Sequence, residues 1–223
     1  MQIPSEPPLA PQTTPPTEQP QQAIQFLFFD LGNVLIHFSH WQACQQLSAC
    51  IGQPPELIFD EIFQADYLSD YECGRISEKE FFQRFSQQVK SNISLADFQQ
   101  AFNEIFWPNE PVLELAVKLQ QRRLPISILS NTCEGHWGYI YREYPILRGL
   151  FPNPILSFET GCAKPDLAIY QAAIARADAE PNQIFFIDDR PENIAGARAA
   201  GMDAELFTTL DDLENQLRQR NLL

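Results

Sequence analysis

The sequence predicts an α/β fold, a Rossmann-like parallel sheet into which an all-helical cap is inserted after the first strand. Three observations carry that expectation. Short apolar runs recur along the chain, continuous rather than alternating, and each ends in small or polar residues, as strands buried on both faces do. Helical periodicities lie between them, the pattern of a parallel sheet with crossover helices. One long stretch, residues 40–108, carries helical periodicity with no convincing strand.

Taken in order, residues 1–22 (MQIPSEPPLAPQTTPPTEQPQQ) are rich in Pro, Gln and Thr and nearly free of large apolar side chains. Such a composition cannot offset its ordering entropy, so a disordered tail without a catalytic role is expected. It lacks the basic start and apolar core of a signal peptide. The first strand is expected at 26–31. Cap helices follow at 41–51, 55–68, 77–90 and 94–106. The third opens on Ser77-Glu78-Lys79-Glu80, a capping box in which the Ser hydroxyl takes the Glu80 amide and Glu80 reaches back. A helix at 110–123 has Asn109 as its expected N-cap and Pro111 in its first turn. Strands at 125–130, 155–158, 184–188 and 204–207 then alternate with helices at 165–178 and 191–200, the last ending at Gly201. The expected division is a catalytic core of residues 23–39 and 109–223 with the cap at 40–108, over the sheet edge where open α/β folds bind ligands.

Composition narrows the function. The chain has 223 residues, ample for a substantial core, and a net charge of −14, which repels nucleic acid and anionic membranes but leaves room for a small phosphorylated metabolite if positive charge is concentrated locally. The five cysteines are odd in number and form no CxxC pair. They read as reduced thiols of a cytoplasmic protein rather than a disulfide or zinc framework. No run is long enough to span a bilayer. A monomer or homodimer is expected.

The chemistry gathers at the strand ends. Asp30 closes the first, Ser130-Asn131-Thr132 the second; Lys164 lies a short loop beyond the third, and Asp188-Asp189 close the fourth. Taken singly, each has an ordinary reading: a turn former, a loop start, a solvated lysine, a helix cap. In a parallel sheet all four converge on one edge.

On these residues the chain resembles the haloacid dehalogenase (HAD) superfamily of phosphohydrolases. FFDLGNVL is similar to its first motif, LSNT to the second, AKPD with Lys164 to the third, IDDRPENI to the fourth, and YECGRIS (71–77) to its helical cap. Within the superfamily it is most similar to the branch that includes a bacterial α-D-glucose-1-phosphate phosphatase. The resemblance implies a phosphatase acting on a small phosphomonoester, a sugar phosphate among the candidates, with Asp30 as nucleophile. It implies Mg²⁺ held by Asp30, the Gly32 carbonyl, Asp188 and Asp189. Ser130 would hold phosphoryl oxygens, Lys164 would offset charge, Asn131 would help orient the phosphate, and Asn193 would support the loop. In the cap, Arg75 and Glu72 are the expected substrate contacts.

One position departs from the family. Its phosphatases generally carry a second Asp two residues after the nucleophile, which protonates the leaving group; here Gly32 stands there. Losing a general acid typically costs about 10²- to 10⁴-fold in rate. Three accounts stay open: a phosphatase whose leaving group needs little acid help, with water, substrate or a side chain such as His37 or His40 relaying the proton; a haloacid dehalogenase, whose chemistry needs no second acid; or a non-catalytic phosphate-binding protein. The Asp188-Asp189 pair argues against the dehalogenase, and retention of Asp30 and Lys164 against the binder.

Overall fold

The computed structural model describes residues 23–223; the expected disordered tail, residues 1–22, lies outside the described residues. Five strands form one parallel sheet: β1 (Phe26–Phe29), β4 (Ile126–Ser130), β5 (Ile155–Leu156), β6 (Ile184–Asp188) and β7 (Asp203–Leu206), in the order β5-β4-β1-β6-β7. The nucleophile candidate's strand is central, flanked by β4 and β6. Alternate residues of these strands build two separate cores. Leu27, Phe29, Ile126, Ile128, Phe185 and Ile187 face one layer, while Phe28, Leu129, Ile184 and Phe186 face the other. Both faces are covered, which is why the strand sequences show no polar alternation.

Helix α6 (Glu110–Gln121) and the C-terminal α12 (Leu210–Gln219) cover the first face; α10 (Leu167–Ala177) and α11 (Pro191–Ala199) cover the second. Asn109 stands before α6, but its side chain does not cap the helix. Its amide donates instead to the Val34 carbonyl at 2.8 Å, tying the helix start to the segment after β1.

Two short antiparallel strands, β2 (Ile36–Phe38) and β3 (Phe106–Pro108), carry the chain out of the core and back. Between them lie α1 (His40–Ile51), α2 (Pro55–Phe63), α3 (Asp66–Glu72), α4 (Glu78–Gln88) and α5 (Leu95–Asn103). They share an aromatic core in which Tyr71, Phe81, Phe85, Phe98 and Phe102 are fully buried. The helix expected over 55–68 is broken in two. The break falls after Phe63, where Ala65 turns extended as the N-cap of α3. The capping box of Ser77 and Glu80 forms in full, and Ser94 caps α5 through the Asp97 amide at 3.1 Å.

Residues 134–150, for which no element was expected, form α7 (Glu134–Glu143) and α8 (Pro145–Leu150). The expected strand at 155–158 pairs over two residues only, then turns into the single-turn helix α9 (Ser157–Thr160). No helix among the described residues is long and apolar enough to cross a membrane.

Candidate active site

The C-terminal ends of β1, β4 and β6 meet, and the loop before α10 joins them. Asp30 is 7% exposed, Lys164 5% and Asp188 not at all. The Lys164 Nζ donates to Asp30 Oδ1 at 2.8 Å, to Asp188 Oδ2 at 2.6 Å and to the Leu129 carbonyl at 2.9 Å, using its three protons. It also sits 5.2 Å from the centre of the Phe186 ring. A buried ammonium is costly unless paired and fully hydrogen-bonded, and this one is.

Both carboxylates are further held. Asp30 Oδ1 accepts the Leu31 amide at 2.7 Å. Asp188 accepts the Arg190 amide at 2.8 Å and the Asn193 amide group at 2.9 and 3.0 Å. Asp189 accepts from Asn33 at 3.0 Å. Burial pushes the Asp30 carboxyl up, to about 7, against the pull of Lys164. Burial alone would lower Lys164, but the two carboxylates outweigh it and hold the ammonium above its ordinary value.

Ser130 is buried at the end of β4 and lines a cavity of about 180 Å³ together with Asp30, Gly32, Lys164, Asp189 and Glu72. Asn131 lines it too, but both ends of its amide are taken by one residue: Nδ2 donates to the Lys164 carbonyl at 2.9 Å, and Oδ1 accepts the Lys164 amide at 2.7 Å. The side chain locks the Lys164 backbone, using its carbonyl oxygen and one of its two N–H protons. Arg75 is not brought to the cavity. Half-exposed, it pairs with Asp70 at 2.8 Å and with Ser69 on the cap surface. The cap loop reaches the core at Gly74 instead. A Cβ there would fall 2.1 Å from the Phe158 carbonyl oxygen, and its φ of +65° suits glycine.

Gly32 lies under an aromatic ring: a Cβ built there would stand 2.8 Å from Phe38. The cavity's other lining is largely apolar or aromatic, from Ile36, Phe38, Phe106, His136 and Ile140. Sequence reasoning did not find His136 or Phe38. Gly135 and Gly138 depress helix propensity around His136, so its helix went unseen, and Phe38 lies eight residues from the nucleophile on a strand too short to show a period.

The carboxylates of Asp30, Asp188 and Asp189 bring ligand oxygens within 4.8 Å of one another. With all three ionised, the carboxylates against one ammonium leave two negative charges, and an all-oxygen donor set of that charge suits a hard divalent cation such as Mg²⁺.

A family model described as haloacid dehalogenase-like hydrolase matches residues 24–201. The chain belongs to the haloacid dehalogenase-like hydrolases. Among solved structures it is similar to a HAD family enzyme of Bacteroides thetaiotaomicron, with a TM-score of 0.78 and 25% identity, covering 88% of this chain and 100% of that one. The same enzyme is known in complex with magnesium and inorganic phosphate. Among curated proteins, a sesquiterpene phosphatase of Aspergillus oryzae is 22% identical over 78% of this chain and 85% of its own length. A drimenol cyclase of Aspergillus calidoustus is 22% identical over 87% of this chain, which spans only 36% of that protein.

Proposed function

We propose that this HAD-like hydrolase is a Mg²⁺-dependent phosphatase that hydrolyses a small phosphomonoester through an aspartyl-phosphate on Asp30. The observation that carries the reading is the buried Lys164 ammonium bridging Asp30 and Asp188, with Asp189 alongside, at the mouth of a cavity lined by Ser130. Asp30, Asp188 and Asp189 with the Gly32 carbonyl would hold the cation, which when bound neutralises charge between the carboxylates and an incoming phosphate.

Asp30 attacks phosphorus in line with the ester oxygen. Lys164 orients the nucleophile and offsets charge on the transferring group. Ser130 and the Asn131 amide receive phosphoryl oxygens. Asn131 and Asn193 are positioning residues, fixing Lys164 and Asp188. The magnesium and phosphate complex of the Bacteroides enzyme and the name of the Aspergillus phosphatase support this direction. The cavity volume, below the several hundred ångström-cubed of drug-sized sites, favours a compact ester. Similarity to the glucose-1-phosphate phosphatase branch makes sugar phosphates the first series to test. The division into a core of 23–39 and 109–223 and a cap of 40–108 is part of this proposal, the cap selecting what is esterified.

The test is turnover of p-nitrophenyl phosphate. Asp30→Asn is expected to lower kcat by at least ~10³-fold, and EDTA to abolish turnover reversibly. Hydrolysis of 2-chloropropionate in EDTA would overturn the reading in favour of a dehalogenase. Binding of phosphate without turnover of any ester would favour the non-catalytic binder.

A further inference from the structure

We propose that Glu72, at the end of cap helix α3, is the catalytic proton carrier that position 32 does not provide. The inference deepens the phosphatase reading and rests on it.

Position 32 has no side chain, and the Phe38 ring lies where one would project. A carrier must therefore come from elsewhere on the cavity wall. Outside the cluster of Asp30, Asp189 and Lys164, the titratable groups lining the cavity among the described residues are Glu72, His40, His136 and Arg190. An arginine does not release its proton. Burial holds both imidazoles neutral, His40 down to about 4 and His136 down to about 3. Both are committed to packing, His40 stacked 4.1 Å from Phe63 and His136 stacked 4.5 Å from Phe102, with its Nε2 against the Phe102 carbonyl at 3.3 Å. A neutral imidazole is a poor acid at neutral pH.

Glu72 is the opposite case. Burial raises its carboxyl above the ordinary range, against the pull of Arg190, the direction that suits a proton donor. Arg190 pulls its carboxyl down, the thiols of Cys73 and Cys133 lie within its field, and the cavity it lines also holds His40, His136, Lys164 and the carboxylates of Asp30 and Asp189. Its backbone is tied to the core: the Ser157 hydroxyl lies 2.6 Å from the Glu72 carbonyl and accepts the Thr132 amide at 2.9 Å, two residues beyond Ser130. Glu72 and Asp30 line the same cavity of about 180 Å³, the space in which an ester attacked by Asp30 would sit.

The proton balance closes over two steps. As Asp30 bonds to phosphorus, the ester P–O bond breaks and its electron pair takes the Glu72 proton. The alcohol leaves, with Asp30 phosphorylated and Glu72 a carboxylate. Water then attacks phosphorus, giving its proton to Glu72. The Asp30–phosphorus bond breaks, phosphate departs, and both side chains return to their starting states.

Glu72→Gln tests this in the full chain with Mg²⁺, on p-nitrophenyl phosphate and on a series of alkyl phosphates. Expected is a fall in kcat/KM of about 10²-fold or more for the alkyl esters, little change for p-nitrophenyl phosphate, whose leaving group needs no proton, and a burst of p-nitrophenolate because water attack has lost its base. A circular dichroism spectrum and a melting temperature matching the wild type show that the variant is folded. An equal loss on all esters, as from a binding contact, or no loss on any would overturn the assignment while leaving the phosphatase reading intact. Wild-type protein inactive on every ester would overturn both.

Discussion

The two walls of the cavity are built on different physics. The strand-end wall is ionic, and each of its buried groups is answered: Lys164 makes three hydrogen bonds, and Asp188 is held by Lys164, Asn193 and the Arg190 amide. The facing wall, from β2, β3, α7 and the cap, is mostly aromatic and aliphatic, with Glu72 as its acid. The buried side-chain atoms without partners among the described residues, such as Glu78 Oε1 and Asn103 Oδ1, belong to residues that do not line the cavity. Directional bonds determine where the reacting atoms stand. Packing, which tolerates changes of shape better than it tolerates an unpaired charge, shapes the side that meets the variable part of a substrate.

If that contrast holds, the largest effect comes from the ionic wall. Lys164→Met leaves Asp30 and Asp188 facing each other in the interior without their ammonium. We expect kcat on p-nitrophenyl phosphate to fall by ~10³-fold and stability to drop by about 3–5 kcal/mol, read by steady-state kinetics and denaturant unfolding. A variant melting like the wild type would break the comparison, because the ionic wall would then not be held by its pairing.

A smaller effect should come from the facing wall on acidification. His40 and His136 have folded values, about 4 and about 3, below the unfolded value. Their neutral forms are therefore favoured in the fold, and the stability this contributes is present above about pH 6.5 and lost as pH falls towards those folded values. Both rings keep some contact with solvent, which discounts the linkage, so we expect on the order of 3 kcal/mol in total. Urea unfolding at pH 7.5 and 4.5 measures it, and His136→Asn should lose most of its share of the difference. An unchanged difference in that variant would assign the acid sensitivity to carboxylates elsewhere.

The smallest effect is expected at Arg75. Its ion pair with Asp70 is exposed and outside the cavity, so Arg75→Ala should leave the denaturant midpoint at the wild-type value within error and leave kcat/KM unaltered. A clear loss of kcat/KM would mean that the cap loop turns over during the reaction and brings Arg75 inward, which would sharpen the role given to Glu72 three residues earlier.

Much of this was legible in the chain. Apolar runs ending in Asp30, Ser130 and Asp188 became β1, β4 and β6, because a strand buried on both faces needs only local hydrophobic continuity. The capping box at Ser77 is equally local, a matter of four consecutive residues. Other elements were hidden by local signals that tertiary packing overrode. Gly135 and Gly138 disguised α7, and a run that reads as strand at 155–158 bends into α9, where Ser157 ties Glu72 to Thr132.

The sequence by itself determined the order of the parallel-type strands and helices and the four polar clusters delivered to one sheet edge, since these follow from periodicity and from residue types adjacent in the chain. Only the tertiary structure decided that Phe38 covers Gly32, that Asn131 bonds the Lys164 backbone, and that Glu72 lines the cavity while Arg75 remains outside it. Each of those choices depends on surfaces tens of residues apart meeting in three dimensions, where steric fit and the satisfaction of buried polar groups select one orientation among several that the local chain allows equally.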